Sequence, residues 1–137
     1  MIAIPARFTA TTHGIEVTVT PIYLESQSFP HEDYWSWAYH VRMENTGKEK
    51  VQLVSRYWNI IDAKGFVKEV RGPGVVGETP TLNPGEVYEY SSGTMLPRSS
   101  GIMSGYYYFS APENKTLEIT IPAFSLDSPS DLPKQMN

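Results

Sequence analysis

Residues 35–43 read Trp-Ser-Trp-Ala-Tyr-His-Val-Arg-Met, with every odd position large and apolar and every even one small or polar. Successive side chains of a strand point to opposite faces, so Trp35, Trp37, Tyr39, Val41 and Met43 form a buried face. Ser36, Ala38, His40 and Arg42 form the opposite side. A helix would scatter the same residues around its axis. The alternation stops at Asn45-Thr46-Gly47-Lys48, a turn sequence in which Gly47 is free to take a positive φ. Val51 to Asp62 then reads as the returning strand of a hairpin. It is apolar on both parities, at Leu53 and Tyr57 but also at Val54, Trp58 and Ile60, which predicts a central strand covered on both faces for part of its length.

The same period continues outward from this pair. Asp62-Ala63-Lys64-Gly65 is a turn leading to a strand from Phe66 to Arg71. Upstream, Ile15, Val17 and Val19 alternate with Glu16, Thr18 and Thr20, until Pro21 switches the apolar parity to Ile22 and Leu24. Proline cannot donate to the ladder, so an edge or a bulge is expected there. Downstream, strands are expected over Glu86–Ser92, Ile102–Phe109 and Thr116–Ala123. Seven strands result, with Arg7–Thr12 as an eighth, and no helical period of useful length appears. The fold class is all-β: an immunoglobulin-like or fibronectin type III-like antiparallel β-sandwich of seven to eight strands.

At 137 residues the chain suits one domain, placed at residues 1–126, with residues 127–137 expected to be a disordered tail rich in proline and polar side chains. There is no cysteine, so disulfides, thiolate metal sites and thiol nucleophiles are excluded. A net charge of −4 argues against a general affinity for nucleic acid. No stretch approaches the roughly 18 apolar residues needed to cross a bilayer, and the first residues lack the apolar core of a signal peptide. A cytoplasmic protein with no membrane partner is expected.

Gly72-Pro73-Gly74-Val75-Val76-Gly77 matches the G-x-G-x-x-G pattern of dinucleotide-binding loops. That chemistry needs a helix whose N-terminus faces the pyrophosphate, but Pro80 and Pro84 follow too closely for one to start. A P-loop reading also fails, because Glu78 stands where the phosphate-binding lysine would be. Two readings remain. The loop is a structural crossover whose glycines adopt positive φ, or its backbone amides, with Arg71 nearby, form a nest for a small anion at Gly72, Gly74 and Gly77.

Other chemistry is thin. His31, Glu32 and Asp33 are adjacent in a loop and do not make a metal site by spacing alone. Asp62 and Glu69 are the only acid–base pair that the strand arrangement suggests, and no G-x-S-x-G elbow is present. No catalytic residue, metal ligand or cofactor is assigned. Tyrosine and tryptophan are abundant, and Tyr106-Tyr107-Tyr108 must alternate between faces. An exposed tyrosine near an arginine suits a protein interface, and Tyr107 with Arg56 is the expected pair.

Read in series, Ser55-Arg56-Tyr57-Trp58, Asp62 to Gly65, Glu69 to Glu78, Leu82-Asn83-Pro84-Gly85, Tyr90-Ser91-Ser92-Gly93 and Gly101 to Tyr106 resemble the ApaG family. The resemblance runs from about Phe8 to Leu126. It implies a fibronectin type III-like sandwich. It also implies an interaction module, since similar domains are attached to eukaryotic F-box proteins and to a DNA-polymerase-delta-interacting protein. Bacterial members are associated with magnesium and cobalt tolerance, and the glycine motif of the family has prompted suggestions of nucleotide or pyrophosphate binding. The expectation is therefore a non-enzymatic module that recognises a protein partner, with an edge-strand dimer as one form of assembly. The alternative is pyrophosphate or nucleotide binding at the glycine loop, with hydrolysis behind it.

Overall fold

The structure, a computed structural model, describes residues 6–129. Nine strands are found among them: β1 (Phe8–Thr12), β2 (Ile15–Tyr23), β3 (Trp35–Asn45), β4 (Val51–Asp62), β5 (Val67–Pro73), β6 (Thr81–Leu82), β7 (Val87–Leu96), β8 (Ser100–Ala111) and β9 (Lys115–Asp127). Two short 3₁₀ turns, Glu25–Gln27 and Pro30–Glu32, join β2 to β3. The strands form two antiparallel sheets packed face to face, in the orders β1-β2-β3-β7 and β5-β4-β8-β9, with β6 beside the start of β4. The expected antiparallel sandwich is present, with one more strand, the two-residue β6, than the pattern showed. No helix among the described residues is long and apolar enough to cross a membrane.

The alternation in β3 does what it predicts. Trp35, Trp37, Tyr39, Val41 and Met43 are all buried in one core with Trp58, Phe124 and Ile121 of the other sheet, and Tyr39 packs against Trp58 and Phe124. Burying such side chains is worth about 1.5–3 kcal/mol each, and this inter-sheet layer is where the fold derives its stability. Pro21 pairs with Tyr39 of β3, beyond the end of the β1 ladder at Phe8↔Val19, so its missing N–H falls on an edge.

The expected hairpin between β3 and β4 does not form. Both flanks of β3 are already occupied, by β2 and β7, so the chain leaves the sheet after Asn45 and begins β4 in the other one. Asn45 is 1 % exposed and ties this crossing together. Its amide donates to the carbonyls of Glu49 at 2.8 Å and Leu82 at 3.0 Å, and its Oδ1 accepts the Gly47 amide at 2.9 Å. A turn-like sequence thus serves a sheet change.

The two-parity pattern of β4 also has a different cause from the one expected. Val51 and Leu53 face the core, then a bulge between Leu53 and Ser55 shifts the register against β8. After it the even positions turn inward, so that Trp58, Ile60 and Asp62 are buried while Val54 and Ile61 stay 46 % and 40 % exposed. β4 is central but covered on one face only. A second bulge, between Met103 and Gly105 of β8 against β9, lies where a Cβ on Gly105 would collide with the Tyr57 carbonyl.

β9 runs past Ala123 to Asp127, with Leu126 buried, and the Ser128 amide donates to the Ser99 carbonyl at 3.0 Å. The start of the expected tail is therefore held in the sandwich, and residues 130–137 lie outside the described residues. One flank of the sandwich is closed, where β1 and β2 pack on β9. On the other flank the edges of β5 and β7 face each other across a cleft.

Candidate functional site

Each glycine of Gly72-Pro73-Gly74-Val75-Val76-Gly77 has its own structural reason. Gly72 is still in β5, opposite Arg56, and a Cβ there would lie 3.0 Å from Arg56 Nη1. Gly74 has φ +58°, and a Cβ would run into the carbonyl of Glu78. Val75 and Glu78 exchange two backbone hydrogen bonds, of 2.9 and 2.8 Å, around Val76 (φ +43°) and Gly77 (φ +80°). Positive φ at both central positions is the signature of a type I′ hairpin turn. The amides of Gly74, Val75 and Glu78 are all bonded within the protein, Gly74 donating to Val54 O at 2.8 Å. A nest needs those amides free, so the loop is built as a tight turn.

Arg71 does not face this loop. It lies on the outer face of the sheet, its guanidinium 4.3 Å from the centre of the Tyr57 ring and 3.5 Å from Glu69. Glu69 accepts the Tyr57 hydroxyl at 2.6 Å, and Tyr106 stacks on Tyr57 at 5.9 Å. The cross-strand registers Arg71–Tyr57–Tyr106 and Val67–Ile61–Ile102 make two parallel rows on this face. Val67, Ile61 and Ile102 are 57 %, 40 % and 52 % exposed.

Tyr107, expected on the surface, is fully buried. It shares parity with Met103 and Phe109, which fill the core, so alternation sends Tyr106 and Tyr108 outward instead. Three consecutive tyrosines hide that choice from the sequence. Tyr107 shares a hydrogen bond of 2.5 Å with the Tyr90 hydroxyl. Burial pushes both phenols above their usual range, so both remain neutral.

Arg56, the other expected surface residue, is half-buried and turned inward by the β4 bulge. Its Nη1 donates to the carbonyls of Pro73 and Gly74, each at 2.9 Å. It lines the cleft between β5 and β7, of about 380 Å³, together with Tyr39, Trp58, Lys68, Ser92 and Thr94. The Tyr39 phenol is raised by burial, partly offset by the Ser92 hydroxyl and the Arg56 charge. Trp58 is 2 % exposed and its indole N–H has no hydrogen-bond acceptor. Sequence reading missed this cleft. Its signal was the Ser55-Arg56-Tyr57-Trp58 string, but an arginine there reads as solvent-facing until the bulge is known.

The remaining candidates stay apart. Asp62 is buried, its Oδ1 accepting the amides of Lys64 and Phe66 at 2.8 and 3.1 Å, whereas Glu69 is on the outer face. They do not form an acid–base pair. His40 contacts Ser91 at 2.9 Å and Glu89 at 2.8 Å on the exposed side of its sheet. Among the described residues no three histidine, aspartate or glutamate side chains gather to hold a metal.

Comparison with known proteins gives consistent relatives. The model of the ApaG domain matches residues 25–111. The chain is 57 % identical over 122 residues to Protein ApaG of Parvibaculum lavamentivorans, covering 89 % of this chain and 94 % of that one. It is 54 % identical over 127 residues to Protein ApaG of Paramagnetospirillum magneticum, covering 93 % and 98 %. A crystal structure from Bordetella pertussis, named for the ApaA protein, superposes with a TM-score of 0.80 at 42 % identity, over 91 % of this chain and 98 % of that one.

Proposed function

Since this chain belongs to the ApaG domain family, we propose that it is a non-enzymatic binding module that docks a protein partner on the outer face of β5, β4 and β8. The observation that carries this is the in-register row Val67–Ile61–Ile102, apolar and open to solvent. In an antiparallel sheet with one solvated face the outward positions are expected to be polar, so contiguous exposed apolar groups there indicate a contact surface. Beyond the Glu69–Asn59–Ser104 row lie Arg71, Tyr57 and Tyr106, residue types enriched at interface centres. The arginine stacks on Tyr57 and pairs with Glu69, which keeps its guanidinium on this face.

Any part in magnesium or cobalt tolerance would act through the partner. The module would work in the cytoplasm.

The test is capture from a bacterial lysate with wild type, Ile102→Glu and Ile22→Glu. Ile22 is 44 % exposed on the other sheet and serves as the control. Proteins retained by wild type and Ile22→Glu but lost from Ile102→Glu are the expected result. Retention of the same proteins by Ile102→Glu, with an unchanged melt, refutes the assignment of this face. A concentration-dependent dimer abolished by Ile102→Glu would identify the partner as a second copy.

A further inference from the structure

The cleft between the free edges of β5 and β7 is a built site on the opposite side of the sheet from the docking face. We propose that it binds a compact oxyanion, a carboxylate or phosphate group, held by Arg56. This inference is independent of the partner reading above.

Three observations carry it. Arg56 is immobilised through Nη1 alone, by the Pro73 and Gly74 carbonyls. Among the described residues, Nε and Nη2 make no hydrogen bond to the protein, so one edge of the planar fork is committed and the rest is free. That geometry suits an oxyanion, which takes two parallel N–H bonds from a guanidinium. Gly72 is what permits it, because a side chain there would strike the guanidinium. The first glycine of the motif thus positions an arginine instead of admitting a phosphate to the backbone.

The second observation is charge. In a chain of net charge −4, the cleft is lined by Arg56 and Lys68 and by no carboxylate. Lys68 is exposed at the rim, but Arg56 is half-buried, and a partly desolvated cation with no acid beside it is unfavourable unless something compensates it. The third is the rest of the lining. Ser92 and Thr94 border the same space beside Tyr39, whose hydroxyl pairs with that of Ser92, and Trp58 lies against it with a buried indole N–H that has no acceptor. Its volume of about 380 Å³ falls within the range of small-molecule sites.

The indole N–H signals of the full chain provide the readout, since it has three tryptophans and Trp58→Phe identifies the one that matters. Inorganic phosphate and acetate are titrated separately at constant ionic strength, with chloride as the balancing salt. Saturable movement of the Trp58 indole signal, with a dissociation constant on the order of 1 mM or tighter, is expected from at least one probe. Movement by phosphate alone identifies a phosphoryl ligand, by acetate alone a carboxylate, and by both a site for either.

Arg56→Gln should weaken binding at least about tenfold, the usual cost of a lost charged hydrogen bond. Gly72→Ala should weaken it too, by displacing the fork, while Arg71→Gln on the outer face leaves it unchanged. No movement with either probe overturns the proposal. So does equal movement in Arg56→Gln, or a loss in Arg71→Gln matching that in Arg56→Gln. If Arg56→Gln fails to fold, Gly72→Ala and Lys68→Gln decide, because unaltered binding in both refutes the site.

Discussion

Gly74 and Gly77 both have positive φ, yet they are not equivalent. A side chain at Gly77 meets nothing within 4 Å, whereas one at Gly74 collides with the backbone of Glu78. The left-handed conformation alone costs an alanine about 1–2 kcal/mol. Gly77→Ala should therefore lose about that much stability in urea unfolding, and Gly74→Ala clearly more. Equal losses would show that the Glu78 backbone moves aside freely. Val76, between them, holds φ +43° with a β-branched side chain, so the turn already carries strain. The same pair of residues shows how far residue chemistry reads directly. Glycine at these positions announced positive φ, but the sequence motif did not reveal that Gly72 makes room for Arg56.

At the scale of the element, the β4 bulge decides which side chains matter. Up to it the odd positions face the core, so Leu53 is buried and its neighbour Val54 is exposed, and beyond it the even positions turn inward. Val54→Thr should change stability by no more than about 0.5 kcal/mol, as expected of an exposed position. Leu53→Ala should cost about 2–5 kcal/mol through lost burial and the cavity left behind. Chemical denaturation of the two variants checks this, and comparable losses would place Val54 in the core. The bulge also turns Arg56 inward, so the cleft depends on one extra residue in one strand. β8 carries the matching device at Met103/Gly105, where the absent Cβ lets β4 approach.

For the whole molecule, the buried phenols set an upper limit on pH. Desolvation raises Tyr39, Tyr90 and Tyr107 above their ordinary value of 10.0 in the folded chain. Above about pH 10 the unfolded chain releases these protons and the folded one keeps them, so the unfolded state is favoured as pH rises. Below that value these groups contribute no slope. The unfolding free energy from urea titrations should be flat with respect to these phenols up to about pH 9 and then fall, by about 1.4 kcal/mol per pH unit for each phenol still neutral. Tyr107→Phe should reduce that slope, and an unchanged slope would mean the phenol ionises freely. Period-two alternation over residues 35–43, with turns at regular spacing, already determined an all-β sandwich, because whether a strand has one dry face is written in its own side chains. The ordered motifs likewise sufficed to place the chain in its family. What they left open were relations between distant segments: that β3 and β4 belong to different sheets, that Tyr107 and not Tyr106 is buried, and that Arg56 faces a cleft. Register, bulges and sheet assignment depend on which strand edges are already occupied, and that is a property of the assembled sandwich and of no single stretch within it.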